Sequence, residues 1–182
     1  MPRKANKARS ILFKAVGTSV ILASFVGQTF FVDRWRDAEI ELGKGLSASF
    51  ELEAKWNGAL AKWTATSTDR DSQIELRVAA VLLLVQNYSI CTRHQSVCNY
   101  PQFHDPSRVE ILLPFDTELS KISQRMVSHI QEFRPIRRDL SEHGSALNGL
   151  VARAKTGMVL AYVIGTLLLV LGLWFEWRGV DE

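Results

Sequence analysis

The 182-residue sequence contains no Pro- or Gly-rich tract, which excludes a fibrous chain. It has no sustained alternation of apolar and polar residues, so no sheet is expected, and no internal repeat. A nucleophile elbow, a metalloprotease helix signature and a phosphate loop are all missing. Gly43-Lys44-Gly45 lacks the leading glycine spacing and the following hydroxyl of the last of these. No reaction is legible, and the expectation is a protein that is not an enzyme and carries no cofactor or metal. What is present is hydrophobicity, 47% of residues against 23% charged, a charge content too high in apolar company for a wholly disordered chain.

Two windows hold most of that hydrophobicity. Ala15–Val32 is eighteen residues without a charge, AVGTSVILASFVGQTFFV, and Gly157–Phe175 is nineteen, GMVLAYVIGTLLLVLGLWF. As helices these are roughly 27 and 28 Å long, close to the hydrocarbon thickness of a bilayer. Neither has the polar face that a soluble core helix of this length needs. Phe30, Phe31 and Trp35 at one end, Trp174 and Trp177 at the other, suit the membrane–water interface. The first window is the more polar, with Thr18, Ser19, Ser24, Gln28 and Thr29. A cleaved signal peptide is the alternative for it, but the apolar stretch is long and no small-x-small site precedes Asp33. A mitochondrial transit segment would be amphipathic rather than continuously apolar.

Charge sets the expected topology. Arg3, Lys4, Lys7, Arg9 and Lys14 make residues 1–14 a +5 tail, residues 33–156 balance sixteen bases against sixteen acids, and residues 176–182 carry −2. A balanced middle gives no footprint for nucleic acid. A basic tail directly before an apolar run marks the cytoplasmic side. The sequence thus divides into a basic cytoplasmic tail (1–14), a first span (15–32), an extracytoplasmic helical domain (33–156), a second span (157–175) and a cytoplasmic tail (176–182). The expected place is a plasma membrane, a bacterial inner membrane first of all. Lys14 at the span edge can snorkel to the interface.

Small residues recur every fourth position in both windows: Ala15, Ser19, Ala23 and Gly27, then Gly157, Ala161 and Gly165. Such ridges let membrane helices approach closely. They are expected to pack the two spans on each other or to receive another protein.

Between the spans the periodicity is helical. Trp35, Leu42, Leu46, Leu52, Trp56, Leu60 and Trp63 share a face with Ser49, so a long helix continuous with the first span is expected. Gly43 and Gly45 weaken it locally. Ser72 with Glu75 fits a capping box that opens a second helix. The run Val78–Val85, apolar on every side and too short to span a bilayer, is expected at the buried centre of the domain. Residues 91–116 read as irregular, with Pro101, Pro106 and Pro114. Asp116 can cap a third helix striped by Leu119, Ile122, Met126, Ile130 and Phe133, which Pro135 ends or kinks. A fourth stretch carries Ile136, Leu140, Leu147 and Val151 into the second span. The expected fold is all-α: two transmembrane helices flanking an extracytoplasmic antiparallel helical bundle.

Cys91 and Cys98 are the only cysteines, and outside the cytoplasm an even pair is most simply a disulfide. Zinc bound by Cys91, His94, Cys98 and His104 is the sharper alternative, though familiar sites pair ligands at closer and more regular spacings. Free thiols are expected if the domain is cytosolic. His129 and His143, beside Glu132 and Glu142, have ordinary surface spacing and read as solvated. Asn87-Tyr88-Ser89 is a glycosylation sequon by chance.

The organisation resembles the ligand-sensing helical bundles of bacterial receptors, a likeness of architecture with no motif behind it. Only seven residues follow Phe175, so a signal would leave through another chain. The leading expectation is a non-enzymatic accessory or scaffold subunit whose partners are the lipid bilayer and another membrane protein or further copies of itself. A membrane-anchored sensor or ligand-binding module acting through a partner chain is the alternative. A membrane enzyme using His94, His104 or His129 is a third reading. A pore lined by Thr18, Gln28 and Thr166 is a fourth, weakened because nothing in either span is ionised.

Overall fold

The structure is a computed structural model that describes residues 2–105, 107–109 and 117–178. Among them every regular element is helical: α1 (Pro2–Gly27), a π-helical turn (Gln28–Val32), α2 (Asp33–Ala65), α3 (Arg70–Arg93), a 3-10 turn (Pro101–Phe103) and α4 (Leu119–Arg178). Three helical runs are long and apolar enough to cross a membrane, Ala5–Ala65, Arg70–Arg93 and Leu119–Arg178, where the sequence suggested two. The chain forms two compact units, Met1–Ala38 with Leu147–Glu182, and Glu39–Ala146.

In the first unit α1 packs antiparallel on the C-terminal part of α4. A Cβ on Gly17 would lie 2.7 Å from the Gly165 carbonyl oxygen, and one on Gly172 would lie 3.1 Å from that of Ser10. These glycines are where the backbones meet, and dispersion between close backbones holds membrane helices together. Phe13 and Phe175 stack at 5.7 Å, and Lys14 pairs with Glu176. The contact face therefore runs Ser10, Gly17, Ser24 on one helix and Met158, Gly165, Gly172 on the other, positions seven apart that are small except at Met158. Gly27, against Met158, and the half-buried Ala161 belong to it. Ala15, Ser19, Ala23 and Gly157 do not: all four are exposed, and nothing lies within 4 Å of a Cβ built on Gly157. The four-residue ridge expected from the sequence is thus displaced by a seven-residue one, which keeps small side chains on the seam of a left-handed crossing. The hydroxyls of Ser24 and Thr29 in the first window, and of Thr166 in the second, are returned to carbonyls four residues back, and Gln28 donates to Asp33. Gly17→Val should cost about 1–3 kcal/mol through overpacking. Gly157→Val should leave the thermal midpoint of the detergent-solubilised protein unchanged.

The second unit is a three-helix bundle. α2 runs antiparallel to both α3 and α4, as the contacts Ser49–Asn87, Lys62–Glu75 and Glu53–Arg137 require. α3 and α4 are therefore parallel, and residues 94–118 carry the chain back along the bundle. The α2 stripe is buried as its spacing predicts at Leu42, Leu46, Ser49 and Trp56. Gly45 permits a close approach, since its Cβ would lie 3.2 Å from Ile90, and Gln86 donates to its carbonyl at 3.1 Å.

Several expectations change here. The cap of α3 is Asp69, whose carboxylate accepts from the backbone of Asp71 and Ser72. Ser72 is buried and donates its hydroxyl to Asp69 and Thr66 carbonyls, and Glu75 pairs with Lys62, so the Ser72–Glu75 box does not form. Asp116 lies outside the described residues. Pro135 neither ends nor divides α4, which is continuous through it. The bundle thus has three helices where four were expected. Proline removes one helical hydrogen bond, and Phe133, Ile136 and Leu140, all fully buried around it, hold the helix through the gap. Finally, Val78–Val85 is only half buried. Ala79, Ala80, Leu83 and Leu84 enter the core, while Val78, Val81, Leu82 and Val85 stand 41–51% exposed.

Candidate functional site

Three buried polar side chains, one from each helix of the bundle, meet in its core. Ser49 on α2 donates its hydroxyl to the Asn87 side-chain oxygen at 2.6 Å, and Asn87 on α3 meets Nε2 of His129 on α4 at 3.1 Å. With its oxygen engaged by Ser49, Asn87 presents its NH2 to the ring. Nε2 is therefore the acceptor and the His129 proton sits on Nδ1. Each member is buried, His129 at 5% exposure, which corrects its reading as a solvated surface histidine. Burial first, and the Arg137 charge second, push the His129 imidazole down to about 4, so it is neutral at physiological pH. Asn87 has no exposed surface, so the sequon it heads is closed to modification in this fold.

Aromatic rings surround the imidazole. Tyr88 stacks on it at 6.0 Å, Phe133 at 6.0 Å, and Phe103 tilts against it at 5.5 Å. Phe103 arrives on the 3-10 turn that follows Cys98. Its position is fixed by three local ties: Cys91 bonded to Cys98, His104 donating Nε2–H to the Cys98 carbonyl at 2.7 Å, and Thr92 bridging the Tyr88 and His104 carbonyls. The expected Cys91–Cys98 pair is thus a disulfide here, with Cα atoms 5.3 Å apart, and both cysteines are buried. With both sulfurs bonded to each other, the set Cys91, His94, Cys98 and His104 does not assemble as a metal site. Among the described residues, no three His, Cys, Asp or Glu side chains are placed to hold an ion. Replacing both cysteines with serine should cost about 2.5 kcal/mol of unfolding free energy, the chain-entropy value for so short a loop, read from denaturant midpoints with and without reductant.

Beside His129 a cavity of about 400 Å³ opens between α3, the 3-10 turn and α4. Tyr88, Phe103 and His129 form its aromatic wall. Arg108, Arg125 and Glu132 bring charge to it, and Gln102 and Ser128 complete the lining. Ser128 donates to Glu132 at 3.1 Å. No pattern in the chain marks this cavity, because its parts come from three separated segments. His143 is exposed on α4 and takes no part.

A second feature lies nearer the N-terminal end of α3. Ile74, Val78, Val81, Leu82 and Val85 form an exposed apolar stripe over three turns, and beside it a groove of about 590 Å³ is edged by Leu52, Lys55, Asp71 and Glu75. A surface helix normally turns charge outward. This one turns valine and leucine outward. No protein family, curated protein or solved structure matches the chain.

Proposed function

We propose that this chain is a non-enzymatic, two-pass integral membrane protein, an accessory or scaffold subunit that holds another membrane protein through its helical domain. In this reading α1 and the end of α4 span a plasma membrane, a bacterial inner membrane first of all, with both termini cytoplasmic and Glu39–Ala146 outside. Support for two spans comes from burial: only 17% and 11% of the apolar windows in the first and last helical runs are buried within the protein, against 50% of the window in α3. The basic tail supports the orientation, and the disulfide suits an oxidising compartment.

The observation that carries the function is the exposed stripe Ile74–Val85. Its occupant is an amphipathic helix of a second protein. Five apolar side chains at positions i, i+4, i+7, i+8 and i+11 match a helix laid along them, and the mixed rim of Lys55, Asp71 and Glu75 supplies polar register at one end. Exposed patches of this kind on a folded domain mark interaction sites. The exposed row Ala15, Ser19 and Ala23 offers a further close-packing face within the spans.

The test is mild-detergent purification of tagged protein from its native membrane after brief cross-linking, in parallel with Val78→Asp/Leu82→Asp. Both positions are about half exposed, so the variant should reach the membrane at normal abundance. A stoichiometric second protein with the unmodified chain, lost with the variant, is the expected result. A homo-oligomer alone, or a partner retained by the variant, overturns the reading.

A further inference from the structure

We propose that the cavity beside His129 is a binding site for a small aromatic carboxylate, its acid group held by Arg108 and Arg125 and its ring against Tyr88 and Phe103. This goes beyond the protein-contact reading and rests on different residues, with Tyr88 the only α3 residue in the cavity lining and none of the Ile74–Val85 stripe in it.

The volume comes first. About 400 Å³ falls in the range of sites that enclose small organic molecules, far above the room needed for one or two waters. The wall is mainly aromatic, and flat rings pack best against other rings, offset or edge to face. Tyr88 and Phe103 are already set at 5.4 Å and 40° to each other, so their surfaces meet at an angle that a flat molecule can enter.

Charge decides the ligand's polar end. The described lining carries the guanidinium groups of Arg108 and Arg125 and the carboxylate of Glu132, and His129 is neutral. Glu132 is engaged by Ser128. The nearby Asp105 carboxylate is occupied by the backbone N–H and hydroxyl of Ser107, at 3.0 and 2.7 Å. Among the described residues neither carboxylate forms an ion pair with Arg108, although Asp105 feels its charge, and the guanidinium stands as a donor fork at the cavity. Planar forks of this kind match carboxylates, and charge-assisted bonds made partly out of water are the strong ones.

The buried chain Ser49–Asn87–His129 has a use in this arrangement. Polar groups in a core cost stability unless fully bonded, and an apolar side chain at position 129 would pack at less risk. An imidazole held by Asn87 gives the wall a fixed polar edge. It stays uncharged, so it does not compete with the arginines for the anion.

The experiment uses the full chain in detergent micelles and phenylacetate as the probe, followed by saturation-transfer NMR and calorimetric titration. Acetate, which lacks the ring, and benzyl alcohol, which lacks the acid, are the controls. Phenylacetate should bind at least about tenfold more tightly than either, and Arg108→Gln should weaken it about tenfold or more, the loss of one charge-assisted contact. The variant's melting temperature without ligand should match that of the unmodified chain. Phe103→Leu, which removes one ring of the wall, should also weaken binding. Equal binding of acetate would reduce the site to a simple anion hole, and equal binding of benzyl alcohol would reduce it to an apolar void. Either result, or phenylacetate binding that survives Arg108→Gln, or no binding at millimolar probe, overturns the proposal.

Discussion

Glu53→Ala should lower the stability of the Glu39–Ala146 bundle by about 3–5 kcal/mol, the cost of breaking a buried ion pair from one side. Glu53 on α2 accepts from Nη1 of Arg137 on α4, and Arg137 is only 6% exposed. The guanidinium is already under-provided. Its Nε and Nη2 have no hydrogen-bond partner among the described residues, and its other support is the ring of Phe50 at 4.4 Å and of Phe133 at 5.7 Å. Cation–π contact of this kind contributes roughly 0.5–2 kcal/mol, less than an uncompensated buried charge costs. Arginine cannot escape by losing its proton, because its pKa lies far above neutrality. The paired change Glu53→Leu/Arg137→Met removes both charges at similar volume and should restore most of the loss. Equilibrium denaturation of the two singles and the double gives the coupling directly. If Glu53→Ala costs under 1 kcal/mol, Arg137 has found water and the pair is a surface feature.

Arg137 also shows how much of this bundle the sequence made legible. The α4 core follows 122, 126, 130, 133, 136 and 140, a period visible in the chain, and positions 129 and 137 fall on the same stripe. A histidine and an arginine at core phase are the signal that was missed. Spacing to Glu132 suggested a surface pair for His129, whereas its phase relative to Ile122 and Phe133 pointed inward. The α2 face was legible because apolar and polar positions alternate clearly, and it correctly included Ser49. Val78–Val85 was not, because eight apolar residues in succession have no phase, and periodicity carries no information about which half is buried. Only the tertiary core, which takes in Ala79, Ala80, Leu83 and Leu84, divides them. Only Gly27, Ala161 and Gly165 of the expected small-residue ridges lie on the contact, for a related reason. Ala15, Ser19 and Ala23 repeat every four residues and Ser10, Gly17 and Ser24 every seven, so two small-residue registers coexist on one helix. The structure uses the one containing Gly17, where the partner helix also offers glycine. The cavity was illegible throughout, since Arg108 reaches it from the connection and Arg125 from α4, with no pattern linking them.

Acidification should destabilise the bundle through His129, by about 3 kcal/mol once the pH has fallen from 6.5 to 4. In the folded protein burial, reinforced by Arg137, holds the imidazole down to about 4, whereas in the unfolded chain it titrates near 6.5. Between those values the unfolded state binds a proton that the folded state refuses, so stability is complete above about pH 6.5 and declines as the pH falls toward 4. A difference of that size at 1.36 kcal/mol per pH unit gives the magnitude. The groups facing the ring act in a consistent direction. Asn87 donates to Nε2 and so bonds the neutral form, and Arg137 repels the charged one. His94, also shifted down by burial, adds a slope of the same sign. Asp105, shifted down by its bonds to Ser107, contributes stability that is lost only at lower pH, below the carboxylate range. The contribution of His129 is therefore isolated by His129→Gln, which keeps an acceptor for Asn87 and cannot titrate. Urea midpoints of the detergent-solubilised chain, measured from pH 7 to 4.5, should fall steeply for the unmodified protein and much less for the variant. Parallel curves would mean that His129 is protonated without loss of the fold, that water reaches its ring, and that the Ser49–Asn87–His129 chain is not sealed in the core.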